Sequence, residues 1–523
     1  MAVGGSPSIS MDILFSAIVG DLVSRSASFV ISKCFQEQPG IDKILQRLER
    51  VVLRIDTVVE EAEGRRIANQ GMLRQLMLLR QGMYRGHYIL DALRFRAIGG
   101  KEEEEENKEG ALSKFSPSKR LRFTGRATGI GICNREAQLF GTNNNIQEEL
   151  ERAIDNLEDT MAGMKEFIFL FKLYPRMVRQ PYGAYLLLDN CMFGRQMERH
   201  RVLNFLLRSS ASPDLAVLPM VGPIRAGKTT LVENVCKDEC VRDRFSMVLF
   251  FPEFCLGDEG VIDLKEKNIN INGLVKYQNS SSSQNRLLVI VEIANDINRS
   301  TWRRLKSSIA RMTPCGGSKI IITSRSDSIV RLGTTEALRL DYLSQEAYWY
   351  FFKSLVFGST SSDEEPKLAT MAMEIALEQR QCFTSAHILA GILRDNFNAR
   401  FWCTVLHCVR ASVQTHLLMF DQHPNLRLRE DEPIYYWRME KSRGYFLITK
   451  YHQSDSSAQV PRIRMRDILL ECGATLPRGE FEAVVWTSRI PPYYNYTISC
   501  KMQAPQVAVG RKKRVLQEEQ HLI

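Results

Sequence analysis

Residues 216–231 read AVLPMVGPIRAGKTTL. An apolar run ends in Gly222, four residues follow, and Gly227, Lys228 and Thr229 then open a helix-like run with Thr230 directly behind them. This is the order G-x-x-x-x-G-K-T in the setting strand, loop, helix start. Phosphate chemistry needs that setting. Small residues let backbone N–H groups fold round phosphate oxygens, the lysine reaches the terminal phosphates, and the threonine hydroxyl can ligate Mg²⁺. The following helix adds the positive end of its dipole. A bare pattern can arise by chance in a long chain, but the strand before it and TTLVENV after it mark a nucleotide site built from Gly222, Gly227, Lys228, Thr229 and Thr230.

Outward from the loop, strands and helices alternate from 216 to 343. Candidate strands are 216–221, 246–251, 286–293, 318–324 and 336–342. Near-continuous apolar runs of this kind suit a parallel sheet covered on both faces by helices. The third strand is where a P-loop fold carries an acid that orders Mg²⁺, and a second acid there can orient an attacking water. LLVIV ends in Glu292, with Val291 just before it. Glu292 is thus the candidate catalytic residue and, with Thr229, the candidate metal ligand. The next strand, GGSKIIITSRSD, ends in Arg325, placed to sense a terminal phosphate; a surface arginine at a strand end reads equally well.

Towards the N-terminus the chain is helical. Ile13, Leu14, Ala17, Ile18 and Leu22 recur at helical spacing, and Ile41 to Val59 carries a long apolar face. Further patterns cover 72–80 and 83–96, so residues 10–100 are expected to form an antiparallel bundle. The run Glu102–Glu106 repels itself, and 101–145 is expected to be an acidic, polar linker. Helices at 146–172 and 185–208 make 146–212 a helical connector. The nucleotide-binding domain is set at 213–357, a helical subdomain at 358–420, and 421–523 receives no fold.

This ordered set resembles the NB-ARC module of plant intracellular immune receptors. Its carriers are the P-loop, LLVIVEI, GSKIIITSRS and LDYLSQEAYWYFFKSLVFG. They are similar to that family's apolar strand with two Asp, its "GSKIIxTTR" strand and its "L-S-x-x-x-A-x-x-L-F" helix. The N-terminal bundle resembles the Rx-type coiled-coil domain, and Asp91 in YRGHYILDALRFR stands within the place of an acidic "EDxxD" signature. The resemblance spans roughly 10–100 and 213–395. It implies a fold that is multidomain α and α/β: an N-terminal helical bundle, a P-loop NTPase parallel-sheet domain and a helical ARC1-like subdomain at 358–420. It also implies ADP or ATP as cofactor, with Mg²⁺, and two arrangements biased by nucleotide state.

The chain departs from that family at several points. Val291 stands at the first Asp, so the Mg²⁺-ordering carboxylate is missing or has moved to Glu292. Ile224 and Arg225 replace glycines. CFTSAHIL at 382–389 replaces a "GLPLA" turn and lacks its proline, and Met465-Arg466-Asp467 is a weak counterpart of "MHD". No leucine-rich periodicity follows, so a truncated relative is expected.

A net charge of +10 and a pI of 9.0 are spread thinly over 523 residues, so nucleic acid is not an expected partner. The 12 cysteines show no C-x-x-C pair. No signal peptide and no run near the ~20 apolar residues of a membrane helix is apparent, so a cytoplasmic location is expected. The expected function is an ADP/ATP-binding switch or helper in plant defence. It would be at most a slow ATPase, meeting protein partners through its N-terminal bundle, with oligomerisation left open. The alternative is a degenerate receptor-like decoy or adaptor that works through that bundle without nucleotide. An unrelated P-loop ATPase or kinase would need a proper acid pair and a substrate signature, and neither is present.

Overall fold

Leu45, Leu48, Val51, Val52, Ile55, Val59 and Ala62 lie on one stripe of the helix Ile41–Glu63 and are all buried. Their partners are Met72, Leu76, Leu79, Leu90 and Leu93 of the helix Gln70–Glu109, and Leu150, Ile154 and Leu157 of Ile146–Ala162. These helices pack together in a computed structural model of the chain, and the third of them comes from the stretch expected to be a connector. The structure describes residues 41–63, 65, 67, 69–109, 146–175, 193–208, 215–251, 275–278, 286–293, 299–312, 317–358, 360, 362, 364–429, 432–437, 445–454, 461, 463–470, 479–487 and 495–503. The apolar pattern of Ile13 to Leu22 lies outside them. The chain divides into two units: Met1–Ala184 with Ser344–Glu374, and Tyr185–Leu343 with Ile375–Ile523.

Two expectations for the first unit change. The patterns at 72–80 and 83–96 belong to one helix, and that helix runs on through the glutamate block to Glu109. No proline or cap separates them. A Cβ at Gly82 would meet the Leu157 side chain at 3.3 Å, so that glycine answers to close packing and does not mark a turn. Glu and Lys are good helix formers, and extending a helix costs far less than nucleating one. The charge run therefore continues as helix instead of beginning the linker. Between Ala162 and a second short helix, Lys165–Phe171, the chain breaks at Gly163-Met164.

The helix Gln345–Phe357 belongs to this first unit. Ser344 caps it by accepting from the Ala347 N–H. Trp349 Nε1 donates to Asp91 Oδ2 at 2.8 Å, and Lys353 Nζ reaches the same carboxylate at 2.9 Å. Asp91 is only 5% exposed and Trp349 1%. Beside them Tyr350 lies against Tyr84 and His87, with ring centroids 5.1 and 5.6 Å apart, and burial pushes its phenol up from the usual range. On the surface, Arg47 bridges Glu158 and Asp155 and holds the Glu158 carboxyl below its ordinary range. Both ends are substantially exposed, so the bridge adds little stability.

In the second unit six strands form one sheet: β1 (Ala216–Val221), β2 (Met247–Phe251), β3 (Val275–Gln278), β4 (Leu287–Ile293), β5 (Lys319–Ser324) and β6 (Leu338–Arg339). Their order is β3-β2-β4-β5-β1-β6, and every pairing is parallel except β2 with β3. The antiparallel edge strand β3 was not foreseen, and 336–342 shortens to two residues of strand. Alternation along the strands feeds two cores. Leu218, Met220, Leu288 and Ile290 pack with Leu231, Val232 and Val235 of the helix Lys228–Cys236. Val217, Val289, Val291 and Ile320 pack on the other face with Trp302, Leu305 and Ile309 of the helix Arg299–Met312.

The remainder of this unit is helical and then β. Helices Phe383–Asp395 and Ala399–Phe420 follow the end of Pro366–Glu378. The C-terminal residues, given no fold from sequence, form an antiparallel sheet of β7 (Ile434–Trp437), β8 (Tyr445–Ser454), β9 (Glu480–Thr487) and β10 (Asn495–Gln503), in the order β7-β8-β10-β9. Ile434, Ile448, Ala483, Ile498 and Cys500 are buried in it, and burial pushes the Cys500 thiol up to about 12.

Candidate phosphate-binding site

The loop leaves β1 at the C-terminal edge of the sheet, pinned on both sides. Leu340 N donates to Val221 O at 2.8 Å and Gly222 N to Ser324 O at 3.2 Å. A Cβ at Gly222 would sit 2.4 Å from Leu340 O, so only glycine fits there. Gly227 takes φ +89° as the residue before the helix Lys228–Cys236, and the space around it is open. Between them Tyr342 Oη donates to Ile224 O at 2.9 Å. Arg225 adopts φ +60°, the left-handed region that costs a side-chain-bearing residue roughly 1–2 kcal/mol.

Lys228 folds back over this loop and donates to Gly222 O at 2.7 Å and Pro223 O at 2.8 Å. Burial lowers its ammonium to about 8, against the attraction of Glu292 and with a contribution from Arg325. Its charge is thus poorly compensated, and a phosphate anion would supply the compensation. The next residue, Thr229, donates its hydroxyl to Glu292 Oε1.

Strand parity settles where the acid stands. Leu288 and Ile290 face the helix that begins at Lys228, and so does Glu292; Val291 is fully buried on the opposite face. Glu292 thus stands on the face of the sheet that carries the loop, and Val291 does not. Val291 leaves no gap at the loop, and Ile293 after it is buried apolar core. Among the described residues, Glu292 is the acid that meets Thr229. A hydroxyl and a carboxylate in contact fit Mg²⁺, which takes few protein ligands and fills its shell with water and phosphate. Among the described residues no group of three or more His, Cys, Asp or Glu gathers into a fuller metal cage.

Of the residues picked from sequence, Gly222, Gly227, Lys228, Thr229, Thr230 and Glu292 come together here. Arg325 is the first residue beyond β5, exposed, and near enough to act on Lys228. Sequence reading missed Arg195. This arginine is 5% exposed, donates to Ala226 O at 3.3 Å and to Asp341 O, and so clamps the loop from behind. Its only signal is Phe193-Gly194-Arg195 at a helix start ahead of β1. CFTSAHIL also returns to the site: Cys382, Phe383 and Thr384 wall a cleft with Arg225, Tyr342 and Gln381. Arg466, in the weak counterpart motif, instead pairs with Asp395 of the helix Phe383–Asp395.

No protein-family model matches the chain. Disease resistance protein RGA2 of Solanum bulbocastanum is 23% identical over 385 residues, covering 69% of this chain and 36% of its own length. Putative disease resistance RPP13-like protein 1 of Arabidopsis thaliana is 23% identical over 410 residues, 76% of this chain and 37% of its own. The chain thus spans about a third of the length of the curated relatives it matches. The solved structure of C. elegans PCH-2 aligns with a TM-score of 0.28 at 12% identity, over 41% of this chain and 68% of that one, a level that says nothing of activity. No described helix is long and apolar enough to cross a membrane.

Proposed function

We propose that the chain is a member of the NB-ARC disease-resistance group of plant proteins and, on that premise, an ADP- or ATP-binding switch or helper protein in defence. The observation that carries this is Lys228, half-buried, incompletely compensated and held over the carbonyls of its own loop. Gly222, Gly227, Thr230 and the first N–H groups of the helix complete the phosphate cradle, Thr229 with Glu292 holds Mg²⁺, and Arg325 senses the terminal phosphate. Hydrolysis is slow or absent. Electrostatic stabilisation of a transferring phosphoryl group rests here on Glu292, with Val291 standing where the resembled family has its first acid. Protein partners meet the N-terminal helices, and the protein works in the cytoplasm.

Titration with ADP tests the reading. Phosphate raises the lysine above its unliganded value of about 8, so binding takes up a proton at higher pH. Affinity is expected to be level below pH 7 and about tenfold weaker at pH 9 than at pH 7. Equal dissociation constants at the two pH values would remove Lys228 from the phosphate contact. No binding at either favours an adaptor without nucleotide, a reading supported by the bulk and left-handed backbone of Arg225.

Glu292→Gln separates metal from phosphate. The variant is expected to keep ADP but to hold Mg²⁺ in the complex about ten- to hundredfold less tightly. An unchanged Mg²⁺ dependence, with any turnover also unchanged, would leave Glu292 without a role.

A further inference from the structure

The C-terminal sheet comes back to the phosphate loop. Tyr496 of β10 hydrogen-bonds the side chain of Thr230, the third residue of the helix Lys228–Cys236. Its ring stacks on Trp486 of β9 at 5.2 Å, and Trp486 stacks in turn on His387 of the helix Phe383–Asp395 at 4.0 Å. The β9–β10 register shifts between Tyr496 and Thr497, and irregularities of this kind re-aim side chains out of the regular pleat. A second tyrosine makes a parallel approach. Tyr436 of β7 hydrogen-bonds Ser385 of that helix and feels the charge of Arg225. One strand of this sheet thus meets the helix that follows the loop, and another meets Ser385 within electrostatic range of Arg225.

The position of Thr230 gives the contact a chemical meaning. Its N–H is among the first four of a helix, which have no partner within the helix and face an incoming anion. Its hydroxyl carries one proton and two lone pairs. Burial keeps the Tyr496 phenol protonated and able to donate. A hydroxyl pair can pass its proton either way, and with Tyr496 donating to Thr230 Oγ1 the threonine proton is free for a phosphate oxygen.

We propose that Tyr496 is a positioning residue for the nucleotide, acting through Thr230 on the phosphate nearest the helix, so that the C-terminal sheet is part of the binding site. The ladder Tyr496, Trp486, His387 then couples occupancy of the loop to the helix Phe383–Asp395. This rests on the nucleotide reading above.

The full-length chain and its Tyr496→Phe, Thr230→Ala and doubly substituted variants are titrated with ADP and with adenosine, and the emission of Trp486 is followed against a Trp486→Phe control. Tyr496→Phe keeps the stacked ring and is expected to bind ADP about three- to tenfold more weakly, with adenosine unaffected. The double variant should be no weaker than Thr230→Ala alone, because the two residues act in series. ADP should change the Trp486 emission of the wild type. Wild-type affinity in Tyr496→Phe, or additive losses in the double variant, overturns the proposal while leaving nucleotide binding intact. A wild type that ignores ADP overturns the nucleotide reading itself, and this proposal with it.

Discussion

Protein carrying Lys228→Ala is expected to come through purification without nucleotide, while the wild type releases stoichiometric ADP on denaturation. The ammonium donates to Gly222 O and Pro223 O across the mouth of the loop, so it is the cation a bound phosphate meets first. Hydrogen bonds to a charged group are worth about 1.5–3 kcal/mol, and the upper figure is roughly 150-fold in affinity. Folding should barely suffer, because Lys228 and Pro223 are only half-buried. Chromatography of the released material reads the result. ADP retained by the variant would move the phosphate contact elsewhere. An empty wild type that also ignores added ADP and ATP would leave the N-terminal helices as the working part.

The second large effect belongs to Asp91. Its carboxylate receives the Trp349 indole and the Lys353 ammonium with almost no solvent access. Asp91→Ala leaves an indole N–H unsatisfied and a largely buried cation without its partner. Breaking such a pair from one side costs about 3–5 kcal/mol. Chemical denaturation followed by Trp349 emission should show the first unit melting at markedly lower denaturant. Asp91→Asn should fall between, since an amide oxygen can still accept from the indole but cannot neutralise Lys353. Adding Lys353→Met to Asp91→Asn should recover part of the loss. Identical midpoints for the wild type and Asp91→Ala would show that the pair does not hold the unit together.

How far these features could be read beforehand depends on the range of the forces involved. The loop and the strands beside it are local: Gly222, Gly227 and the apolar runs of β1, β4 and β5 carry their own geometry in a dozen residues. Glu292 was named, but its facing came only from strand parity once the two cores were in place. Asp91 and Trp349 are 258 residues apart, and no periodicity links them. The aromatic run of Gln345–Phe357 is buried round most of its circumference, which announces a core helix without saying whose core. Arg195 looked like any arginine at a helix start. β9 exposes, half-buries and buries residues in no clean alternation, so its period of two was blurred. The patterns at 72–80 and 83–96 read as two helices although Gly82 between them continues one helix and lets Leu157 approach.

The grouping of residues 344–374 with the N-terminal helices has a consequence for synthesis. The strand and helix segments of the phosphate-binding fold emerge from the ribosome between the two parts of the first unit. Asp91, Tyr84 and His87 must wait for the Gln345–Phe357 helix long after their own helix is made. At about 5–20 residues per second that interval is roughly 13–50 s, during which an apolar surface and a carboxylate meant for burial stand open. Chaperone demand should therefore peak midway through translation, and ribosome-bound chains arrested before residue 344 should be protease-sensitive in the Gln70–Glu109 helix.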